Sequence, residues 1–553
     1  MPRRSRWFFS SMGLVCFALG ALTQSRIEDL ITRHTLDEAQ KVLGWQFTSS
    51  EKELMLDDLR DSLQTYQRLH ARPLPYSVPP ALVYLPEPPQ PAARTSEDSI
   101  RLSPPIHADA PKSLEDLAFY SVRDLGELIR ARQITSTQLT NLYLERLKKY
   151  DPLLNCVITL TEDLALKQAR RADEEIAAGH YRGPLHGIPY GAKDLLAVKG
   201  YKTTWGAAPY KDQVLVEDAT VIQRLEQAGA VLVAKLTTGE LAWDDIWFGG
   251  QTCNPWNLEQ GSSGSSAGPA AAVSAGLAAF AIGSETWGSI VSPCTRCGVT
   301  GLRPTFGRVS RTGAMALSWS MDKLGPIART VEDCAIVLDA IRGADGLDPA
   351  AVDRPFRYTP DVDLSRLRGG YVAGDFKLED ENQANDRETL DALRALGCRL
   401  APIALPDDAV NSLGFILSAE AAAAFDELTR SGRDDLLTRQ TPNAWPNTFR
   451  SARFIPAVEY LQANRLRYEL LQKMKKLFDE IDFYVAPSLE GSNSLLTNLT
   501  GHPCVVVPNG FTGPGAPGSI CFIGDLYDEP TVLAVAKAYQ DATGHHLPHP
   551  ELK

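Results

Sequence analysis

The first 70 residues after the extreme N-terminus carry apolar positions at helical spacing. Two such patterns occupy residues 26 to about 70. In the second, "SSEKELMLDDLRDSLQTYQRL", we predict that Ser50 and Glu53 form a capping box at the start of a helix. The apolar positions that follow at near-helical spacing are Leu54, Leu59, Leu63 and Tyr66. The pattern predicts an N-terminal helical extension.

The texture then changes to a proline-rich segment. Eleven prolines lie between Pro73 and Pro111. Proline lacks an amide N–H and fixes φ, so neither a compact helix nor a central strand accepts this density. We predict an extended connector over this stretch.

From Leu117 onward, helical patterns alternate with short apolar runs. One helix is predicted to begin after Thr135, with Gln138 as its capping-box partner. The apolar runs "AVLVAKL" at 230–236 and "HPCVVVPNG" at 502–510 are typical of buried strands. This alternation predicts an α/β fold in which helices cover both faces of one sheet.

The extreme N-terminus has the layout of a secretory signal. Residues 7–22 form an apolar run, with Ala18 and Gly20 as small residues before a cleavage point. The basic residues that precede the run are Arg3, Arg4 and Arg6. Residues 1–23 are therefore interpreted as a signal peptide or an N-terminal anchor, residues 24–114 as a helical and Pro-rich extension, and residues 115–553 as the main domain. We expect export to the periplasm or the extracellular space, or membrane anchoring if the segment is retained.

Composition excludes some classes of function. The formal net charge is -12, and no basic run follows the first few residues, so we expect no nucleic-acid partner. Nine cysteines show no disulfide framework. The pair Cys294 and Cys297 is at most half a zinc site, and the nine histidines include no metal-binding spacing, so we expect no metal and no cofactor.

A stretch of small residues, "GSSGSSAGPAAAVSAG" at 261–276, is the most unusual part of the chain. A phosphate-binding loop would need a Gly-Lys-Ser/Thr ending, which is missing here. A nucleophile elbow centred on Ser266 would need a preceding strand, whereas the preceding "CNPWNLEQ" is rich in turn residues. A flexible linker fits poorly with the alanine-rich run that follows.

Three further segments explain this stretch. They are "GPLHGIPYGAKDLLAVKGYKTTWGA", which contains Lys193, "IGSETWGSI", which contains Ser289, and "CGVTGLRPTFGRVSRTGAMALSWSMDKLGPIARTVEDCA". Together with the serine-rich stretch, "NLTGHPCVVVPNGF" and "AYQDATGHHLPHP", they resemble the amidase signature family over residues 119–549. The resemblance implies a single large mixed and twisted sheet with helices on both faces, and it makes 115–553 an amidase domain.

The resemblance also implies a Ser–cis-Ser–Lys triad. Ser289 matches the nucleophile and Lys193 the base. The family's bridging serine precedes the nucleophile by 24 residues, as Ser265 does, whereas Ser262 precedes it by 27 and remains the alternative. Ser266, next to the bridge, is expected to support this network by hydrogen bonding, and Asp194, next to the base, is interpreted as structural.

These residue types suit the chemistry. A serine hydroxyl becomes a good nucleophile only when a base removes its proton. Lysine can be that base only when neutral, and burial lowers its pKa from about 10.4. The resemblance further implies an oxyanion hole built from the backbone N–H groups of Thr286, Trp287, Gly288 and Ser289.

Two positions depart from the family pattern. Many members have Arg after Gly-Ser-Ile, where this chain has Val291, and a small or acidic residue is usual where it has Trp287. We expect both to reshape the acyl pocket. Whether the segment with Met315, Leu317, Trp319 and Met321 lines a substrate channel or belongs to the core stays open.

The expected function is an amidase that cleaves a carboxamide through an acyl-enzyme on Ser289, with a small-molecule or peptide amide as substrate. One alternative is a glutaminase-type subunit of an aminoacyl-tRNA amidotransferase, although Gly491 lies near the place of that branch's glutamine-binding aspartate. Others are a non-catalytic binding protein on the same fold and a hydrolase that uses Ser266 and His502. Homodimerisation and membrane association through the N-terminus are left open.

Overall fold

The computed structural model of the chain describes residues 30–71, 74, 78–82, 98–378, 380–406 and 410–552. The predicted signal or anchor at 1–23 lies outside the described residues, and so does most of the proline-rich connector before residue 98. Within the described residues, no helix has the length and apolarity needed to span a bilayer.

The centre of the fold is a sheet of eleven strands. Their bounds in chain order are Val157–Leu160 (β1), Pro189–Lys193 (β2), Val231–Leu236 (β3), Phe280–Glu285 (β4), Thr300–Arg303 (β5), Lys323–Ala328 (β6), Arg368–Val372 (β7), Arg399–Ile403 (β8), Phe483–Pro487 (β9), Cys504–Gly513 (β10) and Ala516–Gly524 (β11). Three additional two-stranded pairs join short segments elsewhere in the described chain.

The strand order across the sheet is β8-β7-β9-β11-β10-β5-β6-β4-β2-β3-β1. Strand β2 runs parallel to both of its neighbours, β3 and β4, whereas β4 and β6 pair antiparallel. The sheet is therefore mixed, and it places the end of β2 beside the end of β4. Every residue of β2, β3 and β4 is buried, so this part of the sheet is covered on both faces.

Helices flank the sheet and connect its strands. Those of the described chain are Arg33–Leu43 (α1), Ser49–His70 (α2), Val122–Arg130 (α3), Ser136–Leu154 (α4), Glu162–Ala177 (α5), Thr220–Gln227 (α6), Ala267–Ser274 (α7), Val291–Cys297 (α8), Val331–Ile341 (α9), Gln383–Ala395 (α10), Phe415–Ala424 (α11), Asp426–Arg430 (α12), Trp445–Ser451 (α13), Ala457–Glu480 (α14), Asn493–Thr500 (α15) and Glu529–Thr543 (α16). The α/β fold with one large mixed sheet between helices, predicted from sequence, is confirmed.

The chain divides into two compact units. One comprises Met1–Leu82, Asn411–Asp435 and Arg439–Tyr468, and the other contains all eleven strands of the sheet. The first unit is helical and has an apolar core of its own. The side chains of that core are Leu36, Phe47, Met55, Leu56 and Leu59, with Ile31, Trp45 and Phe454 packed against them. The domain boundaries inferred from sequence stay predictions.

The sequence placed the start of α2 two residues too late. The N-cap is Thr48 rather than Ser50, and its box partner is Glu51 rather than Glu53. Because "TSSE" contains three consecutive hydroxyl residues, each can cap in principle, and the backbone conformation decides among them. Of the apolar positions, Leu59 and Tyr66 are buried, whereas Leu54 and Leu63 are half-buried.

Two other local predictions are confirmed. Helix α4 is capped by Thr135, and the Gln138 side chain completes the capping box. The apolar run at 230–236 forms β3, which is buried throughout. The run at 502–510 forms the first part of β10, which begins two residues later than predicted and extends to Gly513.

The observed cap of α2 leads to a testable prediction. Replacing Thr48 by Ala removes the side-chain acceptor of the Glu51 N–H, a contact of 3.2 Å. We expect a loss of about 1 kcal/mol in the local stability of the first turn. Amide hydrogen exchange at Glu51 should then become about fivefold faster.

The matched control is Ser50→Ala, because Ser50 is the cap that sequence alone suggests. Its hydroxyl contacts only the Thr48 hydroxyl at 3.2 Å, so its loss should leave exchange at Glu51 nearly unchanged. Faster exchange in Ser50→Ala than in Thr48→Ala would contradict the observed cap.

Candidate active site

Lys193 ends strand β2 and is fully buried. Its ammonium nitrogen lies 2.7 Å from the Ser265 hydroxyl, 2.9 Å from that of Ser284 and 3.1 Å from that of Ser266. These three hydroxyls come from two elements, the serine-rich loop and strand β4. The structure therefore brings Lys193 together with both serines that the sequence assigned to its network, and adds a third.

The hydroxyl of Ser266 has a fixed direction. It donates to the carbonyl oxygen of Ser284 at 3.0 Å and accepts from the backbone N–H of Ser284 at 3.1 Å. Since a hydroxyl has one proton, Ser266 can only accept from Lys193. This arrangement joins the serine-rich loop to β4 and uses one N–H of the lysine.

Burial controls the charge of Lys193. Loss of solvation lowers the pKa of the Lys193 ammonium well below its ordinary value. The carboxylates of Asp322 and Glu285 act in the opposite direction but do not reverse this effect. The lysine is thus a buried amine whose neutral form is favoured.

The serine-rich loop approaches other backbone very closely. The peptide between Gly264 and Ser265 is cis, as the family resemblance implied. A Cβ at Gly264 would overlap the Asp244 carbonyl oxygen, and one at Gly268 would lie 2.4 Å from the Thr237 nitrogen. Small residues are therefore required because the loop and the start of α7 lie against neighbouring backbone.

The loop also decides between the two candidate bridging serines. Ser262 is buried, but its hydroxyl donates to the Ser263 carbonyl oxygen at 3.0 Å. It makes no hydrogen bond to Lys193, whereas Ser265 does. The geometry therefore favours Ser265 over Ser262 as the neighbour of the lysine.

Glu285, the last residue of β4, anchors the turn that carries Ser289. One carboxylate oxygen accepts from the N–H groups of Ile290 and Val291 at 2.8 and 3.0 Å. The other accepts from Arg303 at 2.6 Å and from the Asn498 amide at 2.9 Å. Burial alone would raise the pKa of Glu285, but Arg303 and these hydrogen bonds lower it to about 2. A permanently ionised carboxylate thus fixes both ends of the turn.

Asp322 secures the same turn from the other side. Its carboxylate accepts from the Thr286 hydroxyl at 2.5 Å and from the N–H groups of Leu317 and Ser318 at 2.8 and 2.9 Å. Residues 286–289 belong to no helix or strand, and their own N–H groups donate to no acceptor in the described chain. Gly288 has φ +81°, a conformation that favours glycine. A rigid turn with free N–H donors suits an oxyanion hole.

Ser289 lies within this turn and is largely buried, with 9% of its surface exposed. Its carbonyl oxygen accepts from the Ser266 N–H at 3.1 Å, so the turn touches the serine-rich loop. Its hydroxyl makes no hydrogen bond to any described residue, Ser265 included. Catalytic hydrogen bonds are often absent before substrate binds. The roles of Ser289, Ser265 and Lys193 therefore stay predictions.

Asp194 lies next to Lys193 but faces a separate partner. Its carboxylate contacts the ammonium of Lys235 at 2.7 Å and accepts from Thr204, and all three residues are buried. This ion pair joins the end of β2 to β3. Asp194 is thus a structural neighbour of the site, in agreement with its interpretation from sequence.

The other constellations considered from sequence are not assembled. His502 stacks on Phe478 and hydrogen-bonds Thr500 at 2.9 Å, with no contact to Ser266. Burial, with Arg303 nearby, lowers the pKa of His502 to about 3. Cys294 and Cys297 are buried free thiols. Within the described residues, no group of three or more His, Cys, Asp or Glu side chains could hold a metal ion.

Comparison with known proteins agrees with this geometry. The family model described as Amidase matches residues 138–493, which is more than half of the chain. The chain belongs to the amidase signature family. The resemblance inferred from the motifs is therefore confirmed.

Curated and solved relatives cover nearly their whole length. A glutamyl-tRNA(Gln) amidotransferase subunit from Roseiflexus sp. (strain RS-1) is 35% identical over 485 residues, which is 78% of this chain and 98% of that protein. A native peptide amidase from Stenotrophomonas maltophilia superposes with a TM-score of 0.69 at 30% identity, covering 78% and 98% of the two chains. An amidase family protein from Bacillus anthracis str. Ames gives 0.71 at 25% identity, covering 79% and 94%.

Sequence reasoning missed several members of this amidase-family site. They are Ser284, Glu285, Arg303, Asp322 and Asn498. The one signal available was the strand "FAIGSE", an apolar run that ends in two polar residues. Polar groups at the end of a buried strand require partners, and this requirement points to Ser284 and Glu285.

The close approach at Gly264 gives a second prediction. In Gly264→Ala the new methyl group overlaps the Asp244 carbonyl, which cannot move as a flexible side chain would. We expect a loss of about 1–3 kcal/mol in the free energy of unfolding, seen as a lower melting temperature.

Gly374→Ala is the matched control, because a Cβ at Gly374 meets nothing within 4 Å and φ there is -67°. Its melting temperature should match that of the wild type. Equal melting temperatures for both variants would show that the loop has room at residue 264.

Proposed function

We propose that the protein is a serine-type amidase that hydrolyses a carboxamide through an acyl-enzyme on Ser289. The observation that carries the proposal is the contact of 2.7 Å between the buried amine of Lys193 and the hydroxyl of Ser265. A buried lysine that is surrounded by hydroxyls instead of carboxylates is poised to accept a proton.

In this mechanism neutral Lys193 takes the proton of Ser265, while Ser265 takes that of Ser289. The Ser289 oxygen then attacks the carbonyl carbon of the amide. The N–H groups of residues 286–289 stabilise the negative oxygen that develops, a contribution typically worth about 3–4 kcal/mol per donor. Ammonia or an amine leaves with the returned proton, and water hydrolyses the ester.

The orientation of Lys193 supports this direction of proton transfer. A neutral amine has two N–H donors and one lone pair. Ser266 must accept from the lysine, because its own proton is committed to the Ser284 carbonyl. If Ser284 accepts the second N–H, the lone pair faces the remaining neighbour, Ser265. The two accepting serines then position the base.

A second candidate function is the glutaminase-type subunit of an aminoacyl-tRNA amidotransferase. It is supported by the identity of 35% to the amidotransferase subunit from Roseiflexus. Gly491 offers no side chain for a glutamine, and the Asp375 carboxylate already occupies the space beside its Cα. We therefore favour hydrolysis of other carboxamides.

Labelling with a fluorophosphonate probe tests the proposed nucleophile. We expect the purified wild type to be labelled and Ser289→Ala to remain unlabelled. In Ser265→Ala and Lys193→Ala, labelling should slow by about a hundredfold or more, because the proton of Ser289 has no path to the base. Mass spectrometry of the labelled peptide locates the adduct.

Substrate assays on the same preparations separate the two functions. Ammonia release from propionamide in excess of that from glutamine supports the amidase, and a strong preference for glutamine supports the amidotransferase role. Labelling that survives in Ser289→Ala would refute the assigned nucleophile, and a folded wild type without labelling or turnover would refute both functions.

The pH profile provides an independent prediction. Because Lys193 must be neutral, kcat/KM should fall as the pH drops through the pKa of this lysine, which burial holds well below its ordinary value. The hydroxyl of Ser284 accepts from the ammonium and stabilises the charged form. Ser284→Ala should thus lower the pKa further and move the acidic limb to lower pH.

Ser274→Ala is the control, since Ser274 is also buried but its hydroxyl has no hydrogen-bond partner within the described chain. Its acidic limb should coincide with that of the wild type. Ser284→Thr keeps the acceptor and should restore the original limb. A limb that moves to higher pH in Ser284→Ala would contradict this role.

A further inference from the structure

The indole of Trp287 is exposed in the middle of the turn that carries Ser289. Its neighbours Thr286 and Ser289 are buried, yet 46% of Trp287 is accessible to solvent. The turn itself is rigid, because Glu285 and Asp322 hold it from two sides. The side chain therefore occupies a defined position two residues before the nucleophile.

No contact within the described protein explains this side chain. Its indole N–H has no hydrogen-bond acceptor, and its ring makes no aromatic or cation–π contact within the described residues. A tryptophan carries more apolar surface than any other residue, and leaving half of it in water forgoes that stabilisation. Its place beside the nucleophile points to a ligand as the missing partner.

A second exposed indole is tied to the same carboxylate. Asp322 accepts from Thr286, which precedes Trp287, and from Ser318, which precedes Trp319. Trp319 is 52% exposed, while the other apolar residues of its segment, Met315, Leu317 and Met321, are buried in the core. Of the four candidate channel residues, only Trp319 is thus available to a substrate.

The charges around the turn narrow the chemistry further. Val291 is buried and apolar, so the position after Gly-Ser-Ile provides no cation. Arg303 is buried and engaged with Glu285, Thr497 and the His502 carbonyl. Lys193 is buried with three hydroxyls as partners. None of these cations is available to pair with an anionic substrate, which favours a neutral, apolar one.

We propose that Trp287 is a specificity-determining residue that stacks on a planar apolar group of the substrate next to the scissile carboxamide, with Trp319 as a second aromatic contact. The preferred substrates are neutral aryl and arylalkyl carboxamides. This inference rests on the proposed amidase function and specifies its substrate class.

The activity test compares 3-phenylpropionamide with propionamide, which differ only in the phenyl group. We expect the wild type to prefer the phenyl compound in kcat/KM. Trp287→Ala should lower this preference about tenfold, mainly through KM, because stacking holds the ground state and the transition state alike. Trp287→Phe should retain most of the preference, and Leu347→Ala, an exposed apolar control, all of it.

A binding test removes the dependence on turnover. In the Ser289→Ala background, 3-phenylpropionamide should bind and change the tryptophan fluorescence. Adding Trp287→Ala should weaken this binding about tenfold, whereas adding Leu347→Ala should leave it unchanged. This measurement tests the aromatic contact even if the enzyme fails to hydrolyse either amide.

The outcomes distinguish the two proposals. Absence of labelling and turnover in the wild type refutes the amidase function alone, since the binding test still applies. Turnover with a preference that Trp287→Ala leaves intact overturns the role of Trp287 and keeps the amidase. Loss of preference only in Trp319→Ala likewise overturns the assignment to Trp287.

Discussion

The burial of one amine among hydroxyls is the constraint on which this site depends. Lys193 ends an interior strand, so its nitrogen cannot reach water, and the surrounding groups must satisfy it. Three serine hydroxyls do so at 2.7–3.1 Å. Hydroxyls satisfy an amine without fixing its charge, whereas a carboxylate partner would hold it as a permanent cation. Serine-rich sequence and catalytic potential thus follow from the same requirement.

A second buried cation shows the contrast. Arg303 lies beside the same turn, but it contacts the carboxylate of Glu285 at 2.6 Å and remains charged. That carboxylate follows Ser284 directly in the chain, so it is close enough to raise the pKa of Lys193. Its pairing with Arg303 offsets part of this field, since charges of opposite sign at this distance largely cancel at a third point. The arginine therefore helps the lysine to be neutral while it stabilises the turn.

Sequence reasoning reached the family, the sheet and the three triad positions because motifs are local. Ser265 and Ser289 are found by spacing along the chain, and Thr135 with Gln138 forms a cap within one turn. Ser284 and Asp322 were missed because their roles depend on β4 lying next to β2 and β6, an order that local pattern does not contain. The cap of α2 was misplaced for the opposite reason, since three adjacent hydroxyls satisfy the same local rule.

The turn around Ser289 separates chemistry from selectivity. The groups assigned to catalysis there are backbone N–H donors, fixed by the buried side chains of Glu285 and Asp322. A backbone donor is present whatever residue occupies the position, so the side chain at 287 is free to vary without removing it. In this chain that freedom places an exposed tryptophan beside the nucleophile. Family membership therefore constrains the reaction far more than the substrate, and the substrate must be sought in the exposed side chains.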